Sequence, residues 1–243
     1  MKEIINFKDI LKEESSKIGI ELTDKQLIQF EIYKDLLIEW NEKINLTAII
    51  DNYQIIMKHF IDCLESVKCI KEESYIIDVG TGAGFPGIVI AIYFDERINI
   101  TLLDSLNKRL LFLQEVIQKL NLKNVKIVHG RAEELAHNEE YRNKYDVVVS
   151  RAVASLPILL EYDIAYVKVN GKCLFLKSNN IESEVEESKK ALNILNSKIE
   201  NIYDYSYIVE NEIYNRKILE ITKIKDTPMK YPRNYGKIKK NPL

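Results

Sequence analysis

The stretch YIIDVGTGAGFPG at residues 75–87 decides the fold of this chain. Apolar residues lead into Asp78 and Val79, and four glycines follow within the next eight positions. A short β-branched run closed by glycines is typical of a buried strand that enters a tight turn. Pro86 suits the first turn of a helix, because the amide that proline lacks would have no partner there. The stretch therefore predicts a strand, a glycine loop and a helix, the unit that opens a nucleotide-binding α/β domain.

The glycine loop is compatible with two cofactors. Its last three glycines fit G-x-G-x-x-G, the dinucleotide fingerprint. Its first three, with Asp78 two residues ahead, fit D-x-G-x-G-x-G, which is typical of S-adenosylmethionine (SAM) methyltransferases. The dinucleotide pattern needs a strand that ends close to Gly82, whereas the apolar run stops at Val79. We favour the methyltransferase, with a nicotinamide-dependent oxidoreductase and a purely structural turn as alternatives.

Composition indicates an ordinary globular protein. The chain has 243 residues, of which 46% are hydrophobic and 30% charged, enough for one α/β domain with an extension. No run approaches the roughly 20 apolar residues of a membrane helix, and the acidic N-terminus is unlike a signal peptide. The three cysteines lack C-x-x-C spacing and the three histidines are scattered, so neither disulfides nor a metal site is predicted. We expect a cytoplasmic monomer without a membrane partner.

The order of the predicted elements indicates the fold class. Residues 1–70 form helical patterns, in which Thr23 with Gln26 has capping-box spacing. Strands then alternate with helices, which predicts a doubly wound parallel sheet. Two further stretches alternate like an antiparallel hairpin. The candidate strands are 75–79, 98–103, 125–129, 145–150 and 172–177, followed by the hairpin strands 199–209 and 216–224.

We therefore predict an α/β fold of the SAM-methyltransferase, Rossmann-like type. Its doubly wound sheet ends in a C-terminal antiparallel hairpin and follows an N-terminal α-helical subdomain. The predicted boundaries are 1–70 for the helical subdomain, 71–224 for the methyltransferase domain and 225–243 for a basic C-terminal tail.

Polar residues at the strand ends are the candidate site, because ligands bind outside the carboxyl ends of such strands. Asp104 lies 24 residues after Gly80, near the usual offset of an acid that accepts ribose hydroxyl hydrogens. Ala132 and Glu133 follow the third strand, where a backbone amide or carboxylate can meet adenine. Both acids could instead be ordinary charges at helix N-termini. Arg151 ends the fourth strand, where packing explains a charge poorly, although a structural ion pair remains an alternative.

The residues after the fourth strand, SRAVA at 150–154, bear on the reaction. They contain neither the N/D-P-P-Y/F run of enzymes that methylate exocyclic amines nor the cysteine of enzymes that methylate C5 of pyrimidines. Guanine N7 has a lone pair and no proton to remove, so its methylation depends mainly on positioning and electrostatics. The missing nucleophile weakly supports N7 chemistry.

The C-terminal segment is strongly basic. Residues 223–243 contain seven Lys or Arg and one Asp, a net charge of +6 that leaves −8 on the rest. Tyr231 and Tyr235 lie among these charges and could stack on bases. We expect a basic arm for RNA phosphates, with a solvated tail as the alternative. Deleting residues 223–243 should then reduce affinity for RNA but not for SAM.

The chain resembles the RsmG/GidB family of ribosomal small-subunit methyltransferases along nearly its whole length. The glycine motif is general to methyltransferases, whereas NLTAI, GRAEE, SRAVA and YPR together are specific to this family. The motifs that carry the resemblance are WNEKINLTAI at 40–49, HFIDCLES at 59–66, DVGTGAGFPG at 78–87, LLDSLNKRLLFL at 102–113, GRAEEL at 130–135, SRAVASL at 150–156 and YPRNYG at 231–236.

The resemblance implies SAM-dependent methylation of N7 of one guanine in 16S rRNA, guanine 527 in the usual numbering. Its substrate would be 16S rRNA or the small ribosomal subunit. The resemblance adds Phe85 to the site and makes Arg151 our candidate catalytic residue. The expected cofactor-binding residues are Gly80, Gly82, Phe85, Asp104, Ala132, Glu133 and Arg151. Other polar positions that match the family motifs are Asn45, His59, Arg131 and Arg233.

Two departures from the family pattern stand out: Cys63 where serine is frequent, and Ile238 where proline is frequent. The first is nearly isosteric, whereas the second is expected to loosen the tail. The alternatives that the residues leave open are a methyltransferase for a small molecule or a protein, and a non-catalytic RNA-binding module with a vestigial pocket.

Overall fold

A computed structural model describes residues 6–151 and 154–243 of the chain. Ala152 and Val153, which belong to the motif after the fourth strand, lie outside the described residues. The described residues contain a seven-stranded sheet in the order β3-β2-β1-β4-β5-β7-β6. The strands are β1 (Tyr75–Val79), β2 (Asn99–Asp104), β3 (Val125–His129), β4 (Tyr145–Arg151), β5 (Val167–Ser178), β6 (Ser197–Val209) and β7 (Glu212–Lys223).

The sheet confirms the predicted fold class. Strands β1 to β5 pair in parallel, whereas β7 runs antiparallel to both β5 and β6. β1 lies between β2 and β4, so the strand order reverses beside its carboxyl end. Ligands of doubly wound sheets bind at such a reversal. The ends of β1, β2, β3 and β4 therefore meet where the sequence predicts the site.

Helices cover both faces of this sheet. The α-helices are α1 (Phe7–Lys17), α2 (Asp24–Ile44), α3 (Asn52–Ile55), α4 (Asp62–Leu64), α5 (Gly87–Phe94), α6 (Asn107–Leu120), α7 (Ala132–Leu135), α8 (Leu156–Asp163), α9 (Glu182–Ile194) and α10 (Tyr235–Lys240). A π-helix, Ile56–Ile61, joins α3 to α4. The capping box of α2 is confirmed, since Thr23 accepts from the Gln26 N–H and Gln26 accepts from the Thr23 N–H. None of the described helices is long and apolar enough to cross a membrane.

The N-terminal helices pack directly against the sheet. One apolar core joins Phe30 and Phe60 of these helices to Ile76, Ile100 and other residues of the sheet. A second core lies on the opposite face, beneath α8 and α9. Tyr33 Oη donates to the Ala83 carbonyl at 2.5 Å, so α2 is bonded to the glycine loop itself. The division of the chain at residues 70 and 224 stays a prediction.

Candidate functional site

All seven predicted site residues line one cavity of about 520 Å³ at the carboxyl ends of β1 to β4. They come from four separate stretches of the chain, so the fold brings together what the sequence keeps apart. The predicted residues in its lining are Gly80, Gly82, Phe85, Asp104, Ala132, Glu133 and Arg151. Leu46, Thr47, His59, Arg109, Tyr162 and Tyr235 also line it.

The glycines of the loop serve different purposes. Gly82 has φ +60°, and a Cβ there would meet only the Gly80 carbonyl oxygen, at 3.9 Å. The backbone at Gly82 is therefore bare toward the cavity. A Cβ at Gly84 would lie 2.6 Å from Ile88 Cγ1 and 2.9 Å from Tyr33 Oη. Core packing thus requires glycine at position 84, whereas the positive φ favours glycine at position 82, where it also leaves the space of the cavity open.

Two buried carboxylates hold the loop in shape. Asp78 Oδ2 accepts from the Gly87 N–H at 2.8 Å and from Thr81 Oγ1 at 2.7 Å, and burial raises the pKa of Asp78 to about 7. Asp104 Oδ2 accepts from the Gly82 N–H at 2.9 Å. Asp104 Oδ1 accepts from the Leu106 N–H at 2.8 Å. Asp104 therefore links the end of β2 to both the glycine loop and the start of α6.

The far wall of the cavity combines an acid with aromatic rings. Glu133 is buried and accepts from Arg131 Nε at 2.7 Å. The Arg131 guanidinium lies over the ring of Tyr235, 4.7 Å from its centroid. Tyr162 completes this wall. Tyr235 was predicted only as part of an RNA-binding arm and Tyr162 was not predicted at all, because no local pattern places α8 and α10 at this cavity.

Arg151 is held by groups that follow one another on the N-terminal helices. Its Nη1 donates to the Lys58 carbonyl and to Asp62 Oδ2, each at 3.0 Å. Its Nη2 lies 3.2 Å from His59 Nδ1. The guanidinium also lies over the Phe85 ring, 4.9 Å from the centroid. The predicted alternative of an ion pair is present, yet the same side chain lines the cavity.

His59 is a neutral partner of Arg151. Burial, and then the Arg151 charge, lower the pKa of His59 to about 3. The Lys58 carbonyl and Arg151 Nη2 both lie near Nδ1, at 3.1 and 3.2 Å. Arginine can only donate, so we assign Nδ1 as the acceptor from Arg151 and Nε2 as the donor to Thr47 Oγ1, at 2.9 Å. The ring also stacks on Phe85, with centroids 4.5 Å apart. His59 therefore connects the NLTAI motif to the fourth strand end.

Asp62 joins this network to the hairpin. Its Oδ1 accepts from Tyr205 Oη at 2.9 Å and lies 3.6 Å from Arg216 Nε. Asp62 is buried, so these partners and Arg151 are needed to compensate the carboxylate for the water it has lost. One carboxylate thus fixes the N-terminal helices, β4 and the hairpin around the site.

The basic tail is a docked part of the fold. Lys223, which ends β7 just before the tail, is fully buried, donates to the Ile164 and Val167 carbonyls, and has a pKa lowered to about 8 by burial. Arg233 forms two hydrogen bonds of 2.7 Å with the buried Glu161. Ile238 is fully buried, so the prediction that it loosens the tail is wrong. The basic residues that remain exposed are Lys225, Lys230, Lys237, Lys239 and Lys240.

Comparison with known proteins gives a consistent result. A family model described as "rRNA small subunit methyltransferase G" matches residues 26–223. A protein named "Ribosomal RNA small subunit methyltransferase G" from Acetivibrio thermocellus is 50% identical over 240 residues, which span 98% of each chain. Another of that name from Clostridium perfringens (strain 13) is 47% identical and covers 97% of this chain and 98% of its own. These matches favour the methyltransferase interpretation of the glycine loop over the dinucleotide one.

Solved structures support the fold alone. A SAM-dependent methyltransferase from Aquifex aeolicus has a TM-score of 0.53 at 19% identity, covering 71% of this chain and 94% of its own. TYW2 from M. jannaschii, solved in complex with AdoMet, has a TM-score of 0.52 at 17% identity, covering 67% and 77%. The sheet and its flanking helices are therefore of the methyltransferase type.

Proposed function

The chain belongs to the rRNA small subunit methyltransferase G family, and from this we propose that it transfers the methyl group of SAM to N7 of one guanine of 16S rRNA, guanine 527 in the usual numbering. One observation carries the proposal. Residues from four strand ends line a single cavity, in a chain that is 50% identical to a relative of that name over nearly its whole length.

The residues of this cavity fit SAM. The bare backbone at Gly82 leaves space that a side chain would fill. Asp104 Oδ1 has one described hydrogen bond and retains the capacity to accept from a ribose hydroxyl. We assign the adenine to Ala132 and Glu133, and the remainder of the cofactor to the loop at Gly80, beside Phe85. When bound, SAM supplies a methyl group on a positively charged sulfonium.

Arg151 is our candidate catalytic residue because its side chain lines the cavity and is also bonded to the N-terminal helices that border it. Three of its five N–H groups face Lys58, Asp62 and His59. The others are available for the carboxylate of the cofactor, for which a guanidinium is a suitable partner. Asp62 faces two guanidiniums, those of Arg151 and Arg216, so one positive charge remains that could pair with the cofactor carboxylate.

Methylation of guanine N7 requires no general base from the side chains of the site. The atom carries a lone pair and no proton, so these residues need only to hold the reacting groups in line and exclude water. A neutral His59 suits that task, because it would add no charge beside a bound sulfonium. We further propose that the protein acts as a cytoplasmic monomer without a membrane partner.

The reaction can be tested with purified protein, labelled SAM and small ribosomal subunits from a strain that lacks this activity. Nuclease digestion and mass spectrometry should find a single 7-methylguanosine in 16S rRNA. Subunits from a strain that has the activity should accept no label, which controls for unspecific methylation. Naked 16S rRNA, assayed in parallel, shows which form is the substrate.

A negative result would also be informative. If the RNA stays unlabelled while calorimetry shows that SAM binds, the cofactor assignment stands and the rRNA acceptor is wrong. Small molecules and proteins would then be the acceptors to examine.

The exposed lysines of α10 are expected to contribute to RNA binding. Tyr235 of the same helix lines the cavity, and Lys239 Nζ lies 5.7 Å from the centroid of its ring. Replacing Lys237, Lys239 and Lys240 with glutamine should weaken RNA binding and reduce the slope of log K against log salt by roughly 2. SAM affinity, measured by calorimetry, should change little.

A matched control is available at the opposite end of the sheet. Lys123, Lys126 and Lys144 are exposed beside the amino ends of the strands, and their replacement removes the same charge. Equal losses in both triple variants would mean that the tail has no special role. Deleting residues 223–243 is a poorer test than the sequence indicates, because it removes the buried Lys223 and Tyr231.

A further inference from the structure

A second cavity of about 500 Å³ adjoins the first. His59 and Arg151 line both cavities and form the boundary between them. The second cavity extends from this boundary to the carboxyl end of β5 and the first turn of α9, where Lys177 and Glu184 lie. A group held there would meet the contents of the first cavity at Arg151.

Lys177 and Glu184 form a partly satisfied pair in this second cavity. Lys177 Nζ donates to the Ala154 carbonyl at 2.8 Å and to Glu184 Oε2 at 2.7 Å. An ammonium has three hydrogens, so one has no partner among the residues that the structure describes. Glu184 Oε2 also accepts from the Leu156 N–H at 2.7 Å. Both described bonds of this carboxylate fall on Oε2, which leaves Oε1 open within the described residues.

The open donor of Lys177 and the open oxygen of Glu184 together match the hydrogen-bonding pattern along one edge of guanine. Around that base, N7 is followed by O6, which accepts, and then by N1–H and the 2-amino group, which donate. Adenine presents the opposite pattern, with an amino group at position 6 and an acceptor at N1. A site that leaves buried polar groups unpaired against the wrong base rejects it strongly.

We propose that Lys177 and Glu184 select guanine as the methyl acceptor. Lys177 donates to O6, and Glu184 Oε1 accepts from N1–H and the 2-amino group. N7 then faces the boundary at His59 and Arg151. This assignment rests on the proposed function, since it names the residues that recognise its acceptor base. It also gives a role to Lys177, which lies one residue before the end of β5 and has a side chain only 9% exposed.

The test uses Glu184→Gln and an altered base. The side-chain oxygen of glutamine can still accept from Leu156 and Lys177 at the position of Oε2, which places its NH₂ at the position of Oε1. A donor then faces the donors of guanine. The second change is inosine in place of the accepted guanine, which removes the 2-amino group alone. The substrate is 16S rRNA ligated from segments and reconstituted into small subunits.

Wild-type protein should methylate the inosine substrate roughly 10- to 100-fold less efficiently than the guanine substrate, measured as kcat/KM. In Glu184→Gln, guanine should be the poor substrate and inosine should add little further loss. SAM affinity should stay near the wild-type value, whereas thermal stability should fall modestly, because the nearly buried Lys177 keeps a hydrogen bond but loses its ion-pair partner. The control is Glu182→Gln, which removes the same charge from the exposed start of the same helix and should behave as wild type.

Each outcome is decisive. The same inosine penalty in wild type and Glu184→Gln would overturn the assignment while the methyltransferase function stands. A wild-type protein that methylates no guanine of 16S rRNA would overturn the function and the assignment together. If Glu184→Gln loses SAM affinity as well as turnover, the pair is structural and does not read the base.

Discussion

Arg151→Met should lower SAM affinity roughly 100-fold and destabilise the fold by about 3 kcal/mol. The variant keeps most of the side-chain volume over Phe85 but removes the charge that pairs with the buried Asp62. An uncompensated buried carboxylate is costly, and Arg216, 3.6 Å from the other oxygen, compensates it only in part. Calorimetry with SAM and denaturant unfolding would measure the two effects.

A second variant separates these two effects. Adding Asp62→Asn to Arg151→Met removes the uncompensated charge, so the double variant should regain most of the lost stability. It should not regain SAM affinity, because the guanidinium is still missing. Recovery of both would show that Arg151 acts only by holding the fold. Normal SAM affinity in Arg151→Met would remove this residue from the site.

Gly82→Val should abolish detectable SAM binding while the protein remains folded. The valine side chain would enter the open space that the bare backbone leaves to the cavity. The positive φ of 60° at this position adds a backbone strain of about 1–2 kcal/mol, which a domain of ordinary stability survives. SAM titration and thermal unfolding would measure affinity and stability.

Gly19→Val is the matched control for that strain. Gly19 has φ +74°, and a Cβ added there would meet no atom within 4 Å. It lies after α1, outside the lining of the cavity. Both variants should lose similar stability, whereas only Gly82→Val should lose SAM binding. If Gly82→Val binds the cofactor normally, our assignment of the glycine loop to the cofactor is wrong.

Most of the fold was predictable because its signals are local. A β-branched run, a capping box at Thr23 and alternation in the hairpin each depend on a few neighbouring residues, and each is confirmed. Errors arose where a local signal competes with packing. Isoleucine in place of proline at position 238 was expected to loosen the tail, yet the Ile238 side chain is fully buried.

Sequence patterns alone were sufficient for the parallel strands, the glycine loop and the strand-end residues that line the cavity. The carboxyl ends of parallel strands meet at one edge, so locating those ends also located the cavity that these residues line. The partners of these residues became visible only in three dimensions. Arg151 bonds to residues about ninety positions earlier, and Arg233 bonds to Glu161 rather than remaining free for phosphate. Local patterns encode backbone shape and burial, whereas pairing between distant charges depends on which helices pack against which strands.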